Sequence, residues 1–142
     1  MTSRTASVVW QGDLLHGSGT IAAAPSGAFG PLDVTWASRA EEPDGRTSPE
    51  ELIASAWAAC FAMSLSSGLA KAGTPPEKLE TSASVTFQPG EGIIKGELTV
   101  RGTVPGIDAA AFSAAAEDAK QNCPVSKALA GIPDVSLDAT LA

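Results

Sequence analysis

A chain of 142 residues is long enough for one domain with a substantial core, and its formal net charge of −7 argues against a nucleic-acid partner, which would call for a basic surface. Two cysteines and one histidine cannot furnish a four-ligand zinc site, and no C-x-x-C pair is present. Tyrosine is absent, which removes one common catalytic acid or base. The start carries neither a charged-then-apolar run nor a cleavage-like site, so no signal peptide and a cytoplasmic location are expected.

In chain order, Thr5 to Trp10 reads as a strand, Gly12 to Gly19 as a turn-rich segment, and Thr20 to Ala24 as a returning strand. Pro25 to Pro31 is loop, and Leu32 to Ser38 alternates as a third strand. The polar, Pro- and Gly-bearing stretch Arg39 to Thr47 is a loop feeding a long helix from Ser48 to Gly73. Leu79 to Phe87 and Gly92 to Val104 alternate strongly and pair as a hairpin about Gln88-Pro89-Gly90. Asp108 caps an Ala-rich helix running to Gln121, and Asn122-Cys123-Pro124 opens a short helix through Leu129. Val135 to Leu141 alternates as the last strand. Helices grouped between strands, rather than alternating with each one, predict a single α+β domain over residues 1–142 with a largely antiparallel sheet.

The long helix has start and stop chemistry. Ser48 can cap, Pro49 suits the first helical position, and Glu51 stands where a capping box places its acid. Lys71, Gly73 and Pro75-Pro76 mark its end. Leu52 to Ala70 carries no charge and is apolar on every side, so the helix is either buried in protein or placed in a membrane. Its Ala- and Ser-rich make-up, and the soluble alternating strands around it, favour burial in protein. At about 1.5 Å per residue the helix is about 36 Å long, as wide as a domain of this size, so one domain will struggle to cover all its sides. That is a first sign of a dimer.

Four residues could carry chemistry. Cys60, mid-helix, is either a small core hydrophobe or a reactive thiol that needs a nearby cation. Cys123 precedes Pro124 at a helix start, where free N–H groups favour a thiolate. Glu51 is accounted for by the capping box and Glu50 is not. Arg39 follows a predicted strand, Arg46 lies in a polar loop, and either can be simply solvated; His16, in a turn, is expected to be exposed and chemically idle. Glu50 and Cys60 are ten positions apart, about 15 Å along a helix axis with faces about 80° apart, so they cannot meet on one straight helix. If they share a site, a second subunit brings Glu50 to Cys60.

Thr47-Ser48-Pro49-Glu50-Glu51-Leu52-Ile53, followed by Ala58-Ala59-Cys60-Phe61, resembles the central helix of the OsmC/Ohr hydroperoxide reductases. Cys123-Pro124-Val125-Ser126 resembles that family's second cysteine motif. Trp10-Gln11-Gly12-Asp13 with Gly17 and Gly19-Thr20, and Val104-Pro105-Gly106-Ile107-Asp108, resemble the OsmC branch in particular. The resemblance covers nearly the whole chain.

It implies an intertwined α+β homodimer with long helices at its centre, acting as a cysteine-based peroxidase that reduces organic hydroperoxides to alcohols in stress defence. By resemblance Cys60 is peroxidatic, Cys123 resolves its sulfenic acid as a disulfide, and Arg39, held by Glu50, lowers the pKa of Cys60. A dithiol reductant such as a lipoyl protein would restore the thiols, with no metal, cofactor or membrane partner. Trp57, Phe61 and Met63 are expected to form an apolar substrate surface. Trp57 stands where relatives often carry His or Tyr, and an indole there would reshape the pocket. The rival readings are a non-enzymatic thiol redox sensor or a binder of a small apolar ligand on the same fold, and a structural dimer whose thiols are inert.

Overall fold

The computed structural model describes residues 1–142, which form two compact units, Met1–Leu52 and Ile53–Ala142. The first unit opens with an antiparallel meander of β1 (Val8–Gln11), β2 (Ser18–Ile21) and β3 (Leu32–Val34). Gly19 lies between Trp10 and Val34 in register. A Cβ at Gly19 would lie within 2.9 Å of both side chains, so glycine lets them close over the middle strand.

The third strand is shorter than its alternation predicts. It stops at Val34, and Trp36–Ala40 forms a helical turn, α1, that takes in the end of the segment expected to be strand and the start of the expected loop. The cause is a reciprocal cap: Thr35 Oγ1 accepts the Ser38 N–H at 3.0 Å, and Ser38 Oγ accepts the Thr35 N–H at 2.9 Å. Capping overrides the period-two pattern here. The Ser38 hydroxyl also reaches the Thr47 carbonyl at 2.9 Å, and the Thr47 N–H donates to Asp33 O at 3.0 Å. These bonds fold the intervening loop back on β3 and bring the start of the long helix, α2 (Pro49–Lys71), beside α1. Ser48 Oγ accepts the Glu51 N–H as a cap, while the Glu51 carboxylate accepts the Thr47 hydroxyl at 2.7 Å.

In the second unit β4 (Lys78–Gln88) and β5 (Gly92–Thr103) form the expected hairpin, with a register shift at Thr86/Phe87. The last strand, β6 (Asp134–Leu141), pairs with β5 in parallel, so three of the four strand pairings are antiparallel. A parallel neighbour needs a crossover, supplied by α3 (Ala109–Asn122) and α4 (Pro124–Ala128). Asp108 caps α3 by accepting the Ala111 N–H at 2.8 Å.

Every second residue of β5 from Gly96 to Gly102 is buried, as the pleat dictates. From α2, Trp57, Phe61, Leu65 and Leu69 enter this core at four-residue spacing, and α3 adds Phe112, Ala116 and Ala119. Two glycines of β5 make room for rings: a Cβ at Gly96 would lie 2.6 Å from the Trp57 indole, and one at Gly102 would lie 2.5 Å from Phe112. Although α2 is apolar all round, only one stripe of it is covered by its own chain. Its most apolar window is 22% buried, while its length and composition would also suffice to cross a membrane.

Candidate functional site

The first unit presents an ion pair. Arg39, in the last turn of α1, donates from Nε to both Glu50 oxygens at 3.0 and 3.2 Å, and from Nη2 to Oε1 at 2.8 Å. Glu50 is buried, with its side chain 8% exposed, against 31% for that of Arg39. The arginine is therefore fixed by a shielded carboxylate while part of its guanidinium faces outward. Beside it lies a cavity of about 350 Å³ whose walls include Trp10, Leu14, Ile21, Val34 and Trp36, with Arg39 the one charged residue. Arg46 instead pairs with exposed Asp44 at 3.5 Å, and His16 pairs with Asp13 in the open turn.

The second unit holds both thiols, and both are free. Cys60 is half-buried on the edge of the α2 stripe, packed against the core that includes Cys123, and lines an open cavity of about 680 Å³ with Met63, Ser64, Asn122 and Pro124. Cys123 is fully buried. It ends α3 by donating its N–H to Ala119 O at 2.9 Å and caps α4, its sulfur accepting the Ser126 N–H at 3.3 Å.

The two sulfurs interact and respond oppositely. Burial pushes the Cys60 thiol above its ordinary value and the Cys123 sulfur adds to the rise, with partial relief from the Val125 N–H. Burial acts upward on Cys123 as well. There the Ser126 hydroxyl and N–H, with Cys60 and the Val125 N–H, outweigh it and hold the thiol below its ordinary value. No arginine is among the groups acting on Cys60 within its own chain. Taken by itself, the chain makes Cys123 the more acidic sulfur.

The residues expected to surround Cys60 as a substrate surface divide. Met63 is 74% exposed and shares the Cys60 cavity. Phe61 and Trp57 are core side chains, 0% and 1% exposed. The Trp57 indole N–H donates to Ser126 Oγ at 2.8 Å, and its ring borders a second cavity of about 310 Å³ with Lys120, Lys127 and Ile132. Ser126 and Trp10 enter the sequence analysis only as members of the motifs that carry the resemblance, with no role of their own, and Leu14, Ile21, Val34 and Trp36 are given none there. Paired Leu14-Leu15 inside a turn-rich segment was the one available signal for the latter. No three His, Cys, Asp or Glu side chains converge to hold a metal ion.

Two free thiols share one core on an α+β fold, Cys60 on the wall of an open cavity and Cys123 fully buried. Comparison with known proteins carries this further. A family model described as OsmC-like protein matches residues 42–138. The chain is 39% identical over 132 residues to Peroxiredoxin OsmC of Escherichia coli (strain K12), covering 91% of this chain and 90% of that protein. It is 37% identical over 97 residues to the organic hydroperoxide resistance protein of Xanthomonas axonopodis pv. citri, covering 64% of this chain and 65% of that one. The fold resembles the crystal structure of the OsmC-like protein from Mycoplasma pneumoniae with a TM-score of 0.73 at 15% identity, covering 99% and 98% of the two chains. The chain belongs to the OsmC family.

Proposed function

We propose that this protein is a cysteine-based peroxidase that reduces organic hydroperoxides to alcohols and works as a homodimer. The observation that carries the reading is that Cys60, open to a cavity, packs against the core in which Cys123 is buried. The names of the relatives, a peroxiredoxin and an organic hydroperoxide resistance protein, support it.

In the proposed cycle the Cys60 thiolate attacks the outer peroxide oxygen. The O–O bond breaks, the alkoxide leaves and takes up a proton as the alcohol, and Cys60 becomes a sulfenic acid. The Cys123 thiolate then attacks the Cys60 sulfur, a disulfide forms, and hydroxide departs to become water. A dithiol reductant, such as a lipoyl group, returns both thiols and is itself closed to a disulfide. Because burial raises the Cys60 thiol above its ordinary value within its own chain, the first step calls for a cation from elsewhere. The Arg39–Glu50 pair of a second subunit fits that need: α2 is unbroken from Pro49 to Lys71, which keeps Glu50 about 15 Å along the axis from Cys60 of the same chain. The apolar cavity beside Arg39 would then hold the alkyl group.

The test is consumption of cumene hydroperoxide and of hydrogen peroxide with dihydrolipoamide as reductant. The organic peroxide should be consumed faster, and Cys60→Ser should abolish turnover. Undiminished turnover in Cys60→Ser, or none in the parent protein, overturns the proposal.

A further inference from the structure

The Trp57 indole serves neither the Cys60 cavity nor a purely apolar packing role. It is 1% exposed, a missing side chain at Gly96 makes room for its ring, and its one polar atom is spent on Ser126 Oγ at 2.8 Å. Ser126 Oγ lies in turn 3.3 Å from the Cys123 sulfur. A serine hydroxyl has one hydrogen and two lone pairs. With the indole N–H on one lone pair, the hydroxyl can accept from a neutral Cys123 thiol or turn its own hydrogen onto the sulfur. A thiolate accepts only, so ionisation of Cys123 fixes the chain in one direction: indole N–H to hydroxyl oxygen, hydroxyl hydrogen to sulfur. Donors arranged in series polarise one another.

We propose that Trp57 and Ser126 are positioning residues that aim a hydroxyl hydrogen at Cys123, so that Cys123 attacks the Cys60 sulfenic acid as a stabilised thiolate. The proposal rests on the peroxidase reading for the step it serves: the Cys123 sulfur forms the S–S bond, the Cys60 S–O bond breaks, and hydroxide leaves to be protonated. The same arrangement acts when the disulfide is reduced. The reductant reaches the sulfur that is open to the cavity, Cys60, and the stabilised Cys123 thiolate is the leaving group. The lowered pKa of Cys123, to which the Ser126 hydroxyl is the largest downward contribution, agrees with this geometry. The titratable groups around the sulfur are Cys60 from α2 and, on the two adjoining cavities, Lys71 of α2, Asp118 and Lys120 of α3, and Lys127 of α4. Of these only Cys60 acts on Cys123.

A relay and a merely structural contact differ in their pH profiles. Losing a hydrogen bond to a charged sulfur lowers its thiolate population about tenfold at neutral pH. The remaining thiolate is more nucleophilic by about threefold, so the net loss is about threefold at neutral pH and becomes a gain of up to about threefold once the thiol is fully ionised. The experiment is stopped-flow disulfide formation after one equivalent of cumene hydroperoxide, from pH 5 to 10, in the parent, Ser126→Ala, Ser126→Thr and Trp57→Phe proteins. Ser126→Ala should shift the midpoint upward and cross the parent curve. Ser126→Thr, which keeps the hydroxyl, should keep the parent midpoint, and Trp57→Phe should shift in the same direction by less. Slowing of Ser126→Ala at every pH with an unmoved midpoint overturns the proposal. Titration of Cys123 by the ultraviolet absorbance of its thiolate, which needs no reagent to enter the core, in a Cys60→Ser background with and without Ser126→Ala, decides the relay even if no hydroperoxide is reduced. An upward midpoint supports it and an unmoved one overturns it.

Discussion

Replacing Arg39 by methionine should destabilise the protein more than replacing Glu50 by glutamine, because the two changes strand different charges. Arg39→Met leaves a carboxylate whose side chain is 8% exposed, stripped of three donated hydrogen bonds. An uncompensated buried charge costs about 3–5 kcal/mol. Glu50→Gln leaves a guanidinium that is 31% exposed and can turn to water, beside an amide oxygen that still accepts a hydrogen bond. Its loss should be about 1–2 kcal/mol. The double variant strands neither charge, so it should cost less than the sum by about 2 kcal/mol. Urea unfolding at fixed protomer concentration and pH 7 reads this out, and the two single-variant midpoints should differ by about 1 M. Equal costs, the reverse order, or strict additivity would refute the argument that Glu50 is the shielded member of the pair.

Cys123→Ser should still permit one oxidation of Cys60 but leave the sulfenic acid unprotected, so intact-mass spectrometry after excess hydroperoxide should find sulfinic acid on Cys60 in the variant and disulfide in the parent. Gly96→Ala places a methyl 2.6 Å from the Trp57 ring and should cost about 1–3 kcal/mol by overpacking, with a change in tryptophan fluorescence; an unchanged denaturation midpoint would show that the ring is not seated there. Phe61→Ala should cost about 3–5 kcal/mol as a core deletion, whereas Met63→Ala should cost under about 0.5 kcal/mol and raise KM for a bulky hydroperoxide. Michaelis kinetics and denaturation on the two variants separate these effects.

The long helix, the hairpin and the capped Ala-rich helix were legible because each is written in local signals: a cap, a period and a turn. The third strand was overextended because Asp33 and Thr35 keep the alternation going, while the cap that ends it depends on Thr35 and Ser38 binding each other three residues apart. That spacing was visible in the sequence but lay inside a stretch that also satisfied a strand. The parallel pairing of β6 was not legible, since it follows from how the crossover helices return the chain. The apolar residues near Cys60 needed angles rather than proximity in number. At 100° per residue Trp57 lies about 60° to one side of Cys60 and Met63 about 60° to the other, with Phe61 beyond Trp57. The core took the Trp57 and Phe61 side and left Met63 open. Ser126 lies 69 residues from Trp57 in the chain, and no local pattern links them.

The two unsatisfied features of the chain call for the same remedy. A helix apolar on every side is buried by its own chain along one stripe only, and a thiol that needs a cation has none among the groups acting on it. In the proposed homodimer a two-fold pair of chains would answer both at once, if the isologous contact set the Arg39–Glu50 pair of each subunit against the Cys60 of the other. Subunit mixing tests this directly. Cys60→Ser and Arg39→Met homodimers should each be nearly inactive. In a heterodimer one site joins Cys60 of the Arg39→Met chain to Arg39 of the Cys60→Ser chain and is intact, and the other site carries both lesions. Random exchange makes half the dimers mixed, so activity should recover to about a quarter of the parent value per subunit. Tagged subunits purified as verified heterodimers should reach about half. Verified heterodimers without activity would place Arg39 and Cys60 in the same subunit's site, or remove Arg39 from the chemistry.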